Sequence, residues 1–69
     1  MKRSERKPVV QAAIDEAGGM TQLASYLGIT RGAVALWRDV PPQYVLRIEE
    51  LTGISRHRLR PDVFGAADD

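Results

Sequence analysis

A chain of 69 residues can form one domain, close to the lower size at which a hydrophobic core stabilises a fold without help. Apolar residues make up 43% of it, which excludes a wholly disordered protein, and without cysteine neither disulfides nor thiolate metal ligands are possible. The net charge is only +1. No apolar run approaches the ~20 residues that span a bilayer, and no secretory signal follows the charged start. We therefore expect a cytoplasmic protein without a membrane partner.

The charges are unevenly distributed along the chain. Basic side chains form two clusters, one in the first seven residues and one around His57, which together contain Lys2, Arg3, Arg6, Lys7, Arg56, Arg58 and Arg60. The last nine residues carry only three charges, all acidic, so the net charge of +1 for the whole chain becomes +4 for residues 1–60. This distribution favours a polyanionic partner, although charge runs are more often solvated surface.

The first predicted helix begins at Pro8, where the missing N–H of proline leaves no hydrogen bond unmade. Its apolar residues repeat at helical spacing, at Val10, Ala13, Ile14 and Ala17. Gly18 and Gly19 end the helix by allowing left-handed backbone angles. We interpret residues 1–7, before this helix, as a flexible basic arm.

The next two predicted helices meet at Gly28. The segment MTQLASYLG puts three apolar residues on one helix face, Leu23, Ala24 and Leu27. The glycine then stops the helix. Thr30 can cap a third helix, from Arg31 to about Arg38, by accepting a hydrogen bond from the N–H of Ala33.

Two further helices complete the predicted domain. The fourth predicted helix lies in the segment VPPQYVLRIEELTG, with prolines at its start and Gly53 at its C-cap. Its inward-facing residues are Val45, Ile48 and Leu51. Ser55 can cap a short fifth helix through Leu59, which Pro61 halts. No alternating strand pattern or hairpin turn occurs. We predict an all-α domain of five helices over residues 8–64, followed by a disordered tail at residues 65–69.

The helices on either side of Gly28 meet the requirements of a helix-turn-helix unit. Steeply crossing helices need a small residue where they approach, which Ala24 supplies, and the turn needs a positive φ, which glycine adopts without a Cβ clash. Ile29 follows as an apolar plug, and Val34 and Trp37 face inward one turn apart. The other face of the second helix is then left outside.

The order of these five residues resembles the Cro-type repressors of temperate bacteriophages and the related YdaS-type regulators encoded by prophages. The resemblance extends to AGG before the motif, VPPQYVLRIEELTG after it and RHRLRPDVF near the end, and covers roughly residues 9–64. It implies a helix-turn-helix domain of the Cro/lambda-repressor-like type that binds operator DNA, usually as a homodimer that blocks transcription. Such a protein works on the nucleoid of a bacterial or phage-infected cell and needs no cofactor.

The resemblance places the recognition helix at Arg31 to about Arg38, with DNA bases met by its outward residues Arg31, Gly32, Ala35 and Leu36. Small outward residues suit a major groove that is only ~12 Å wide. Gly32 lets the backbone approach DNA, and Arg31 can bind guanine O6 and N7 together. Ala35 and Leu36 can touch thymine methyl groups. Many relatives carry Gln or Ser where this chain has Gly32 and Leu36. Direct readout then rests on Arg31, with DNA shape and phosphate contacts contributing more, or Leu36 lies outside the groove.

Phosphate contacts are implied for four residues at helix N-termini and after the motif, Thr21, Gln22, Thr30 and Arg38. Two of them have a simpler interpretation, because Thr30 can be only an N-cap and Arg38 can pair with Asp39. Met20 stands where relatives often carry a Gln that binds a phosphate. The basic residues 2–7 can follow the DNA backbone or minor groove, or take no part in binding.

Trp37 is interpreted as a core residue rather than a stacking platform, because it shares the inward register of Val34. Four residues later in the chain can cover the core or form a dimer patch, Tyr44, Leu46, Val63 and Phe64. For Phe64 a lid over the core is the simpler interpretation. The dimer interface is otherwise not predicted.

Two other classes of function compete with DNA binding. An enzyme is not predicted, because His57 is the only histidine, cysteine is absent, and the chain has neither metal-ligand spacing nor a glycine-rich phosphate loop. The other alternative is an antitoxin-like regulator whose main partner is another protein. Salt dependence separates the two, because the affinity of a DNA binder falls with a log–log slope of about −0.9 per phosphate contact.

Overall fold

The structure, a computed structural model, describes residues 6–65, which form six α-helices and one short 3₁₀ helix and contain no β-strand. The α-helices are α1 (Pro8–Glu16), α2 (Met20–Leu27), α3 (Arg31–Ala35), α4 (Val45–Thr52), α5 (Arg56–Leu59) and α6 (Pro61–Phe64), and the 3₁₀ helix is Pro42–Tyr44. The all-α prediction is confirmed for this part of the chain. Most of the predicted arm and tail, residues 1–5 and 66–69, lie outside the described residues.

The helices begin and end where the local sequence allows it. Thr30 caps α3, and its Oγ1 accepts a hydrogen bond from the N–H of Ala33 at 3.1 Å. Ser55 caps α5 in a similar way. Gly28 and Gly53 follow α2 and α4 with φ of 76° and 81°, a left-handed conformation that glycine adopts at little cost. All four of these helix ends were predicted from the sequence.

The helices enclose one cluster of buried apolar side chains. Its members are Val10, Ala13, Ile14, Leu23, Ala24, Leu27, Val34, Val40, Val45, Ile48, Ile54 and Leu59. Helix α1 packs against α2, α4 and α5, and α2 packs against α3. Among the described residues no polar or charged side chain is fully buried, so the core is held by apolar packing alone. Within residues 6–65 no helix is long and apolar enough to cross a lipid bilayer.

The structure departs from the predictions about the helices at Pro61 and at Leu51. Five helices were predicted, but residues 6–65 contain six, because Pro61 starts α6 instead of only halting α5. Leu51 was placed inward, but it is 38% exposed. At about 100° per residue, Leu51 lies about 120° from Val45 around α4, whereas Thr52 lies within about 20° of it. Thr52 is accordingly the partly buried residue of that turn.

The four residues predicted to cover the core or to form a dimer patch divide into two pairs. Tyr44 and Phe64 are partly buried and pack against the core. Leu46 and Val63 remain 49% and 48% exposed. Phe64 therefore acts as a lid, and a dimer patch stays a prediction for Leu46 and Val63.

A cluster of charged side chains joins the start of α1 to the residues around α6. Asp39 pairs with Lys7 at 2.8 Å and with Arg60 at 3.5 Å, and Arg60 pairs with Asp62 at 2.7 Å. The hydrogen bond from Arg60 lowers the pKa of Asp62 to about 2. Arg60 Nη1 also donates to the carbonyl of Val40 at 2.8 Å. Arg60, which belongs to the second basic cluster of the sequence, is thus engaged within the protein.

Candidate nucleic-acid interface

Helices α2 and α3 pack against each other on either side of a turn at residues 28–30. Gly28 has φ 76° and ψ 28°, a backbone conformation in which a Cβ would be strained. The N–H of Ile29 donates to the carbonyl of Ala24 at 3.0 Å, and Ala24 is only 3% exposed. The turn and its buried small residue are those that the sequence predicted for a helix-turn-helix unit.

The back of α3 is held by the core. Val34 is completely buried, and Trp37, just beyond the helix, is partly buried and packs against the core. The Trp37 ring stacks on Tyr44, with ring centroids 5.9 Å apart and 24° between the planes. The prediction that Trp37 faces inward is confirmed, although its burial is incomplete.

The opposite side of α3 faces solvent. It consists of the four residues for which base contacts were predicted, Arg31, Gly32, Ala35 and Leu36, and all four are exposed. We call this surface the front of α3. Leu36 is 81% exposed, the largest exposed fraction among the large apolar side chains of the described residues. The structure therefore brings the predicted base-contacting residues together on one accessible surface.

Gly32 is not required by the protein's own packing. Apart from the two adjacent residues and the backbone of α3, the atom nearest to a Cβ at this position would be Thr30 Oγ1. Its distance of 3.9 Å is an ordinary van der Waals contact. Its φ is not positive either. Glycine inside a helix costs roughly 0.5–1 kcal/mol relative to alanine. A residue that weakens α3 without an internal reason suits a surface that another molecule approaches closely.

Helix α3 is shorter than the helix that the sequence predicted. The sequence analysis extended it to about Arg38, but α3 ends at Ala35, with Leu36 as its C-cap. The N–H groups of Leu36 and Trp37 donate to carbonyls three residues back, at 3.2 Å and 3.0 Å. These short-range hydrogen bonds close the helix in a tight turn. The carbonyl of Ala35, which a longer helix would bond to the N–H of residue 39, accepts instead from Arg6 Nη2 at 3.1 Å. Arg38 consequently lies in the segment beyond the helix.

The four residues predicted to contact phosphate are all exposed. Thr21 and Gln22 lie in the first turn of α2, whose N-cap residue Gly19 has no side chain to bond the free N–H groups. Thr30 is an N-cap, and because its hydroxyl accepts a hydrogen bond within α3, its own O–H remains a donor. Arg38 is exposed after the end of α3.

Asp39 does not neutralise Arg38, which was one interpretation of the sequence. Its carboxylate pairs with Lys7 and with Arg60, at 2.8 Å and 3.5 Å. Lys7 comes from the predicted basic arm, so the end of that segment contacts the protein itself. The side chain of Arg38 thereby remains a candidate for phosphate.

Sequence reasoning missed a contact between Arg6 and the end of α3. Arg6 Nη2 and Nε donate to the carbonyls of Ala35 and Trp37 at 3.1 Å and 3.3 Å, and Nη1 donates to Gln11 Oε1 at 2.9 Å. The two carbonyls lie 29 and 31 residues away from Arg6 along the chain. No local pattern could mark this contact, because capping and periodicity act over only a few residues.

These features define a class of protein. The structure is a small all-helical domain in which α3 follows a tight turn, packs on the core and exposes small and cationic residues, and this arrangement is the one that the predicted helix-turn-helix unit requires.

Comparison with known proteins identifies the family. The model of the family described as Bacterial toxin YdaS matches residues 10–68, and this chain belongs to that family. A similar solved structure is that of the Cro protein from the prophage element Xfaso 1 in Xylella fastidiosa strain Ann-1, with a TM-score of 0.78 and 34% identity over 87% of this chain and 100% of that chain. No curated protein matches the sequence. The predicted resemblance is confirmed, and the protein is a prophage regulator of the Cro/YdaS type. Regulators of this type are in general not enzymes.

Proposed function

We propose that this protein binds double-stranded operator DNA sequence-specifically and regulates transcription, with α3 lying in the major groove. The observation that carries the proposal is the exposed front of α3, while Val34 and Trp37 hold the helix from behind. A helix that enters a groove ~12 Å wide needs a slim outer side that the rest of the protein does not cover. The front of α3 has both properties.

Each residue of the front has a role that its chemistry supports. Arg31 donates to guanine O6 and N7 with its planar fork. Gly32 and Ala35 let the backbone of α3 come close to the base edges. Leu36, exposed in the free protein, covers thymine methyl groups and so removes apolar surface from water.

Phosphate contacts on either side of the groove position the helix. Thr21 and Gln22 offer side-chain donors beside the free N–H groups of α2, where the helix dipole also favours an anion. The Thr30 hydroxyl donates its free O–H, and Arg38 contributes a charge-assisted hydrogen bond. These contacts fix orientation and carry no sequence information themselves.

The family resemblance implies that the protein regulates transcription as a homodimer. Each protomer would place α3 in the major groove of one half-site and block transcription by occupying the operator. DNA binding would hold the protein at the nucleoid. Leu46 and Val63, both half exposed, are the candidate residues for the dimer contact.

Duplex binding at several salt concentrations tests the proposal. Bound fragments are first selected from random duplexes, and affinity for the selected duplex and a shuffled one is then measured by fluorescence anisotropy. Between about 50 and 200 mM salt we expect log K to fall linearly with log[salt], by about 0.9 per phosphate contact. The selected duplex should bind more tightly than the shuffled one. A protein that shows no saturable binding to any duplex would refute the proposal.

A regulator whose main partner is another protein is the alternative. The observation that favours it is the description of the family as a bacterial toxin. In that case the selection returns no consensus sequence, and substitutions on the front of α3 leave duplex binding unaffected at every salt concentration. The two functions are not exclusive, but only DNA binding predicts a base preference that depends on Arg31.

A further inference from the structure

The segment just before α1 holds the end of the recognition helix. We infer that Arg6 is a positioning residue for DNA binding: it fixes the end of α3 and the residues that follow, so that the front of α3 and Arg38 meet DNA in one orientation. This inference rests on the proposed function. At Arg6, the basic start of the chain acts on the protein's own backbone rather than on phosphate.

The guanidinium of Arg6 joins two parts of the protein. Nη2 donates to the carbonyl of Ala35 at 3.1 Å and Nε to the carbonyl of Trp37 at 3.3 Å. Nη1 donates to Gln11 Oε1 on α1 at 2.9 Å. A planar fork can satisfy these three acceptors together, which the single ammonium group of a lysine cannot do in a fixed geometry.

Lys7 extends the same contact through its backbone and side chain. Its N–H donates to the carbonyl of Arg38 at 3.0 Å, and its Nζ pairs with Asp39 at 2.8 Å. Residues 6 and 7 therefore lie along residues 35–39. Because α1 begins at Pro8, the next residue, this segment links the exit of α3 directly to α1.

The short length of α3 explains why an outside contact matters there. The last carbonyls of a helix have no intrahelical partner and are stabilised by a nearby cation. Helix α3 has five residues and no basic residue in its last turn. Arg6 supplies both the missing donors and the positive charge from a distant part of the sequence.

Three alanine variants that lose the same charge at different places test the inference. Arg6→Ala should weaken binding to the selected duplex by about tenfold, the factor expected for one charge-assisted hydrogen bond, without lowering the salt slope. Arg38→Ala should lower the slope by about 0.9, because a phosphate contact is lost. Arg47→Ala, on the exposed side of α4, gives the change caused by loss of charge alone.

Two further variants separate the fork of Arg6 from its charge. Arg6→Lys keeps the charge but not the geometry, and we expect it to bind as weakly as Arg6→Ala. Gln11→Ala removes an acceptor of Arg6 without a change of charge, and we expect a loss of about two- to threefold at an unchanged salt slope. Recovery of binding in Arg6→Lys, with a slope about 0.9 lower in Arg6→Ala, would overturn the inference and make Arg6 a phosphate contact.

A measurement without DNA distinguishes failure of this inference from failure of the proposed function. The N–H groups of Leu36 and Trp37 close the last turn of α3, so their hydrogen exchange should accelerate in Arg6→Ala but not in Arg47→Ala. Circular dichroism checks that both variants are folded. If Arg6→Ala does not fold, the same hydrogen-exchange measurement is made on Gln11→Ala. Unchanged exchange overturns the inference even if the wild type binds DNA. A wild type that binds no duplex refutes the proposed function, whatever the exchange shows.

Discussion

Arg31 is the only charged residue of α3, and it stands exposed at the first position of the helix. We expect Arg31→Ala to weaken binding to the best selected duplex by about 1–3 kcal/mol and to relax the preference at one base pair. The reason is the loss of a two-point contact to one guanine. Competition titrations against single-base variants of the selected duplex measure both effects.

Arg31→Lys is the matched control for this substitution. It keeps the positive charge but lacks the planar fork, so the preference at that base pair should still be lost while the salt slope stays the same. An equal loss on every duplex sequence, with a lower slope in Arg31→Ala, contradicts base readout and assigns Arg31 to phosphate.

Gly32 permits a test in which stability and binding move in opposite directions. Because a Cβ there meets only Thr30 Oγ1, at 3.9 Å, Gly32→Ala should stabilise the fold by roughly 0.5–1 kcal/mol. The same Cβ would separate α3 from the bases and weaken DNA binding. Thermal unfolding followed by circular dichroism and anisotropy on the selected duplex provide the two readouts. A variant that is more stable and binds equally well would show that the backbone at Gly32 does not approach DNA.

At the scale of the element, the segment from α3 to Trp37 has one side against the core and one side in solvent. Leu36 is 81% exposed, whereas Trp37, the next residue, packs against the core and stacks on Tyr44. We expect Trp37→Ala to lower the free energy of unfolding by about 3 kcal/mol, the lower end of the range for tryptophan because its burial is incomplete. Leu36→Ala should leave stability unchanged and weaken binding to the selected duplex. Urea unfolding and anisotropy measure the pair.

The two variants control each other, because they change adjacent apolar residues with opposite surroundings. Loss of stability in Leu36→Ala would place that side chain against the protein rather than DNA. A fully stable Trp37→Ala would show that the core does not depend on the indole. Either result would contradict the assignment of Trp37 to the core and of Leu36 to the exposed front of α3.

The ends of the elements were predictable to different degrees. The caps at Thr30 and Ser55 and the glycines at Gly28 and Gly53 follow from residues within one turn of each helix end, so the sequence was sufficient for them. The early end of α3 was not predictable, because its terminal carbonyl bonds to a side chain 29 residues away.

At the scale of the whole molecule, part of the basic charge serves the fold. Lys7 and Arg60 share Asp39, and Arg56 pairs with Glu49 at 3.0 Å. The second basic cluster of the sequence is therefore partly engaged in intramolecular pairs. The proposed affinity for DNA rests on Arg31, Arg38 and the local surface of α3 more than on overall charge, which is only +1.

A homodimer makes a geometric prediction about the operator. The two copies of α3 should contact two half-sites of a pseudo-palindromic operator. The centres of these half-sites should lie one helical turn apart, about 34 Å, on the same face of the DNA. Selection from random duplexes followed by footprinting measures the spacing and the symmetry together. A consensus without two-fold symmetry would contradict binding as a symmetric dimer.

The sequence alone determined the all-α fold, most helix ends, the turn at Gly28 and the inward placement of Val34 and Trp37. These depend on interactions within a few residues and on helical periodicity, both of which are visible in a linear chain. Only the tertiary structure decided that α3 ends at Ala35, that Asp39 pairs with Lys7 and Arg60 rather than with Arg38, and that Arg6 donates to the carbonyl at the end of α3. Those contacts join residues 21 to 32 positions apart, and they exist only once packing has brought the helices together.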